Sequence, residues 1–383
     1  MKIPLAWRQL THEKMRLLVA LAGIAFADVL MFMQLGFKNA LLDSAVRLPK
    51  GLNGDIFLVG SQTDTFVNPK PFSARRLYQV MGIEGVKTVN PFYVDINIWK
   101  NPIDRSTRQI FVMGFNPVNN ILALDGVEEN LDLIKQPDTF LFDSKSRQEF
   151  GPVQDSLLAG QNFTTEVGNR RITVKGLFTL GSSFGADGSL VTSDLNFFRL
   201  FNGRAKNLID VGVIQLEPGA DAEQVLAQIK AELGAGDVQV FTKKELVAYE
   251  RYYWETRTTI GFIFGLGTVM GFVVGTVIVY QILYTDVSDH LPEYATLKAM
   301  GYGDSYLLRV VFQQAILLAI IGFIPSLGLS FLLYAQTAKA TGLPLMMTVS
   351  RAATVLVLTV AMCSISGAIA VGKLRAADPA DIF

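Results

Sequence analysis

Apolar residues gather in four stretches, at 17–37, 258–285, 307–334 and 352–371, and thin out between them. A hydrocarbon layer about 30 Å thick takes roughly 20 apolar residues in helical form, and each stretch meets that length. The first holds a single charge, Asp28, and the second holds none. The third has Arg309 in its opening turn, and the fourth closes on Lys373 and Arg375. The pattern predicts four membrane-spanning helices. The first is expected to stay as an anchor: its apolar core exceeds the roughly 7–15 residues of a secretory leader, and Lys38-Asn39-Ala40 is not a small-residue cleavage site.

Residues 38–257 have a different texture. Residues 54–60, 86–99, 108–114, 170–178 and 210–216 read as strands, the last two alternating as half-buried strands do. Ser73 opens a helical stretch with Ala74, Leu77, Tyr78 and Met81 at helical spacing. Residues 221–233 form an amphipathic helix, with Asp221 as N-cap and Gly234 just past its end. The fold class expected is an α-helical membrane protein with four transmembrane helices plus a large α+β domain. Whether that domain has one lobe or two is left open.

Composition narrows the function. Charged residues make up 18% of the 383, against the roughly 25% of an ordinary soluble domain. The formal net charge is zero, which gives no footprint for nucleic acid. One cysteine, Cys363, and two isolated histidines, His12 and His290, offer neither a disulfide nor a metal-binding spacing. The glycine-rich run 181–189 has no Gly-Lys-Ser/Thr and reads as a surface loop, not a phosphate cradle. Neither histidine lies within 38–257, so no Ser-His-Asp triad forms there. No catalytic residue and no metal ligand stands out, and the chain is read as a non-enzyme.

An even number of spans puts both termini on one side. Lys2, Arg8, Lys14 and Arg16 before the first span favour a cytoplasmic N-terminus. The domain plan is then an amphipathic helix on the membrane face at 1–16, spans at 17–37, 258–285, 307–334 and 352–371, and an outer domain at 38–257. An inner loop at 286–306, a short outer loop at 335–351 and an inner tail at 372–383 complete it.

Three features of the spans carry information. Gly267, Gly271 and Gly275 recur every four residues, a spacing that lets helix backbones approach closely in lipid. Their partner, another span or a second copy, is not fixed by the sequence. Asp28 is too costly to face lipid and is read as a structural hydrogen-bonding group inside the bundle. Pro325 is expected to kink the third span. In the loop 286–306, Pro292 suits a first helical position and Gly301 the residue past a helix end. Leu291, Tyr294, Leu297 and Met300 give the intervening short helix one apolar stripe. Such a helix needs a surface to dock on, whether its own bundle, the lipid headgroups or a partner.

The stretch Pro292-Glu293-Tyr294-Ala295-Thr296-Leu297-Lys298-Ala299-Met300-Gly301 resembles the E-x-A-x-L-K-A-x-G coupling loop of FtsX/MacB-type permeases of ABC exporters. The opening residues 2–10 and residues 374–380 are similar to the DevC branch, the permease of a cyanobacterial heterocyst glycolipid exporter. The resemblance implies a bacterial inner-membrane permease, with the large domain in the periplasm. It places Leu291, Glu293, Tyr294, Leu297, Lys298, Met300 and Gly301 at the interface with a separate cytoplasmic ATPase of the MacB/LolD type. ATP and Mg would be bound by that partner, and no cofactor by this chain. A second permease copy, a membrane-fusion adaptor and a TolC-like outer-membrane duct complete the implied assembly, exporting an amphipathic or lipid-like cargo with a glycolipid as candidate. Two relatives of similar plan stand as alternatives: an FtsX-like regulator of a cell-wall hydrolase, and a LolC/LolE-like lipoprotein-releasing permease.

Overall fold

The computed structural model describes residues 7, 14–183, 185–234, 236–290, 292, 293, 296, 300, 301 and 303–376. The chain divides into two compact units, one comprising Leu41–Thr258 and Thr341–Pro344 and the other the remainder. Helix α1, Lys14–Ala45, begins the second of these and ends in the first.

The larger unit is an α/β domain around one mixed sheet. Nine strands run in the order β11-β1-β10-β3-β4-β8-β5-β7-β6. They are β1 Ile56–Gly60, β3 Val86–Lys100, β4 Thr107–Phe115, β5 Thr139–Asp143, β6 Phe163–Val167, β7 Arg170–Phe178, β8 Ser189–Ser193, β10 Val211–Leu216 and β11 Val238–Thr242. A two-stranded ribbon joins β2, Phe72–Ser73, to β9, Leu208–Ile209. The organising element is β3, which is 15 residues long. Residues from Val86 to Phe92 pair with β10, and those from Phe92 onward pair with β4. At Trp99 and Lys100, β3 also pairs with Val167 and Glu166 of β6, so six of the strands close into a barrel. The two lobes are thus a four-stranded sheet and a six-stranded barrel that share one strand.

Helices α2, Ala74–Gln79, and α3, Ala222–Leu233, cover one face of the sheet lobe. Leu77, Val225, Leu226 and Ile229 pack with Ile56, Leu58 and Ile214. Asp221 caps α3 by accepting from the Glu223 and Gln224 amides, and Gly234 follows it at φ +64°, as the sequence predicts. In the barrel, Trp99 lies among Phe142, Phe150 and Phe163, with ring centroids 5.5–6.1 Å away. Its indole N–H donates to the Phe150 carbonyl at 3.1 Å.

The glycine-rich run is no simple surface loop. Gly181 and Ser182 are buried, and both carboxylate oxygens of buried Asp143 hold the run by accepting from the Leu180 and Gly181 amides. A glycine-rich composition shows conformational freedom but not what lies beneath it.

Helix α4, Lys243–Tyr252, opens with a reciprocal cap between Thr242 and Glu245 and passes into a wide π-type turn, Tyr253–Arg257. Helix α5, Thr259–Asp289, starts two residues later.

The other unit is a bundle of the main part of α1 with α5, α6 (Asp304–Thr341) and α7 (Val349–Ala376). All four are long and apolar enough to cross a membrane. Each extends beyond its apolar stretch, because hydropathy marks where lipid ends whereas backbone hydrogen bonding continues into polar flanks. Pro325, where the sequence predicts a kink, lies inside helix α6.

Candidate functional site

The loop between α5 and α6 is built outward from the end of α5. Asp286 is buried and accepts from the Gln314 amide of α6 at 3.1 Å. His290 folds back on the same turn: its backbone N–H donates to the Asp286 carbonyl at 3.2 Å, and its Nδ1 lies 2.9 Å from that oxygen. Arg16 of α1 pairs with Asp289 at 2.6 Å. The end of α5 is therefore tied to two neighbouring helices just before the loop begins.

Beyond it, Pro292 and Glu293 are helical, and the Thr296 hydroxyl donates to the Pro292 carbonyl at 2.9 Å. The Met300 amide donates to the Thr296 carbonyl at 3.0 Å. Gly301 has φ +92°, a left-handed conformation suited to the residue past a helix end. Glu293, Thr296 and Met300 are exposed, Met300 by 62%. An apolar side chain so open at the turn of a helix is available to a partner. Leu291, Tyr294, Leu297 and Lys298 lie outside the described residues, as do the amphipathic segment before Lys14, apart from Trp7, and the tail after Ala376.

Gly267, Gly271 and Gly275 of α5 face its neighbours within the bundle. A Cβ on Gly267 would meet Gln34, one on Gly271 would meet Met31 at 3.2 Å, and one on Gly275 would meet Met362 and Ala27. The partner that spacing left open is α1, joined at Gly275 by α7. Asp28 of α1 is fully buried; its Oδ1 accepts from Thr359 of α7 at 2.6 Å and its Oδ2 from Ser326 of α6 at 3.0 Å. One carboxyl group thereby ties three helices together.

Sequence reasoning missed Asp286, Gln314, Ser326 and Thr359. The i, i+4 spacing of Asp286 and His290 was a usable signal, as was a glutamine inside an apolar span. It also missed Glu250 in the large domain, whose buried carboxylate accepts from the Thr65 hydroxyl at 2.6 Å, the Phe66 amide at 3.0 Å and the Trp254 indole at 2.9 Å. Burial pushes the Glu250 carboxyl above its usual value, against the lowering by these donors. This clamp fixes α4 and the π-type turn to the segment around residue 65, immediately before the chain enters α5.

The three helices from Thr259 onward, with an exposed loop between the first and second of them, lie in a stretch that a known family also covers. Residues 259–379 match the model described as FtsX-like permease C-terminal. That stretch is thus similar to the FtsX-like permease C-terminal domain. The match spans α5, the loop after it, α6 and α7. No curated protein sequence matches the chain. Among solved structures, the chain is similar to the periplasmic region of MacB from Actinobacillus actinomycetemcomitans, at 10% identity and TM-score 0.35, covering 51% of this chain and 92% of that one. It is also similar to the extracellular domain of the noncanonic ABC-type transporter YknZ from Gram-positive bacteria, at 16% identity and TM-score 0.33, covering 49% of this chain and 98% of that one.

Proposed function

We propose that this chain is the membrane subunit of an ABC exporter, driven by a separate ATPase that grips the loop at 286–306. The observation that carries the reading is the coincidence of the FtsX-like permease match with a loop helix that is exposed at Glu293 and Met300 and rooted by Asp286, Gln314 and Arg16. A lever must be soft toward its driver and stiff toward its load. Closure of the ATPase would press on the loop helix, and the Asp286–Gln314 bond would carry the push into α5 and α6 together. Helix α5 has 31 residues, about 46 Å at 1.5 Å per residue, and runs without interruption toward the π-type turn.

In this reading both termini are cytoplasmic and the large domain is periplasmic. It acts with an adaptor of the membrane-fusion type and a TolC-like duct on an amphipathic or lipid-like cargo, a glycolipid being the candidate. Two permease copies pair with two ATPase copies.

The test is the effect of the permease on its ATPase in nanodiscs. Glu293→Lys should reduce ATPase stimulation at least about tenfold, the cost of reversing a charge at a docked interface, while thermal stability and membrane insertion stay at wild-type levels. Full stimulation by Glu293→Lys would remove the loop from the interface, and no stimulation by the wild type would remove the reading itself.

A further inference from the structure

Strand β3 is left without a strand neighbour on one edge between its two lobes. Pairing with β10 stops at Phe92, and pairing with β6 starts at Trp99. Throughout this interval the other edge of β3 stays paired to β4. Bonds to the Phe92 and Ile98 carbonyls from the Asp210 and Gly168 amides show that even-numbered residues turn their backbone groups toward the free edge. Six residues, 93–98, about 20 Å of strand, therefore face a gap.

What occupies the gap is side chain, not strand. The Val94 amide donates to Asp210 at 2.9 Å, and the Val94 carbonyl accepts from Arg204 at 3.2 Å. The Ile96 and Ile98 amides donate only to the side chains just before them, Asp95 and Asn97, each at 2.8 Å. Among the described residues no hydrogen bond reaches the Ile96 carbonyl. Arg204 also pairs with Asp95 and Asp210, yet its Nε is buried with no partner among the described residues. Ile98 is 44% exposed.

A groove of about 700 Å³ opens over this edge, lined also by residues 67–71. That segment cannot close the gap itself. Pro69 and Pro71 have no N–H, and the Lys70 amide is already donated to Thr63 at 2.8 Å.

We propose that this slot binds an extended peptide segment of a partner protein, which adds a short strand to β3 antiparallel and in line with β10 and β6. The occupant's class follows from what this edge offers: the open Ile96 carbonyl beside the Ile96 and Ile98 amides, which are held only by the side chains just before them, a donor and acceptor pair that a peptide backbone answers and a lipid tail does not. The incoming strand displaces the weak local bonds to Asp95 and Asn97. The recess explains why an open edge is tolerated in a free domain, since one narrow chain fits where a second sheet cannot. The inference is independent of ATPase coupling and stands or falls separately from it.

The experiment presents the full chain, in nanodiscs, with an array of peptides of about eight residues in which Val or Thr alternates with every other residue type. Binding is read by fluorescence anisotropy. The best binder is then remade with an N-methyl group at each alternate amide in turn, and methylation of the one that faces the Ile96 carbonyl is expected to weaken it about tenfold by leaving that carbonyl buried and unbonded. Amide hydrogen exchange at Ile96 and Ile98 should slow on binding. Gln109→Trp, which fills the groove from β4, should block the peptide while leaving the melting temperature unchanged. The proposal is overturned if no peptide in the array binds saturably, if N-methylation leaves affinity unaltered, or if exchange at Ile96 is unmoved. The last two readouts use the wild-type chain and do not depend on how the variant folds.

Discussion

At Glu250, three neutral donors meet one buried carboxylate, and burial outweighs them in raising its proton affinity. A carboxyl whose folded value lies above its unfolded one binds the proton more tightly when folded. The stability it contributes is present below the ordinary glutamate value near 4.5 and is lost as pH rises through the raised folded value. Thermal unfolding followed from acid to neutral pH should show this decline in the wild type and a flatter profile in Glu250→Gln. An unchanged slope in the variant would assign the pH dependence elsewhere. Asp28 calls for a different expectation. Its two donors, Ser326 and Thr359, also lie within reach of the Phe323 and Val355 carbonyls at 2.7 and 2.8 Å. They have somewhere to turn if the carboxylate changes, so Asp28→Asn should cost no more than about 1 kcal/mol, as interhelical hydrogen bonds in membranes do. Thermal melting in detergent reads this. A much larger loss would mean that the negative charge itself is required. Asp28 was legible as an inward-facing group because charge in lipid is costly. Its partners were not, because a hydroxyl in an apolar helix bonds its own backbone so readily that it leaves no mark on the hydropathy pattern.

Among the helices, the glycines of α5 are not equivalent. At Gly275 an added Cβ meets the Ala27 Cβ at 2.7 Å as well as the Met362 thioether, and Ala27 cannot move aside without its backbone. At Gly271 the contact is the flexible Met31 at 3.2 Å, and at Gly265 nothing lies within 4 Å. The expected order of damage is Gly275→Val well above Gly271→Ala, with Gly265→Ala nearly silent. The first should cost about 1–3 kcal/mol through overpacking, measured as loss of thermal stability in detergent. Equal effects at Gly275 and Gly265 would make the close packing incidental. The four-residue spacing made this stripe visible in the sequence, but spacing does not name the helix opposite. The strands followed a similar rule. Residues 86–99 and 108–114 were readable as strands from their composition, whereas the switch of β3 from one partner to another depends on contacts with β6 and β10, more than 60 residues away in sequence. Local pattern fixes an element's type, and long-range pairing fixes its neighbours.

On the scale of the whole chain there are an apolar helical bundle and an α/β domain, and the broad plan was legible because lipid solubility and strand alternation are strong signals. The division of the domain into sheet and barrel was not, since both lobes draw on one strand. A structural consequence can be measured. Trp99→Ala removes the ring around which Phe142, Phe150 and Phe163 gather at the closure of the barrel, and should cost about 3–5 kcal/mol. Because β3 belongs to both lobes, calorimetry should record the domain losing both in a single, down-shifted transition. Two separated transitions would show that the lobes are independent. The shared strand also bears on how such a protein changes over generations. Halves joined by a linker can be traded between genes; halves that own the same backbone cannot, since excising one takes a wall from the other. Diversity in this architecture has to enter through its turns, such as residues 101–106 between β3 and β4, and never by recombining its lobes.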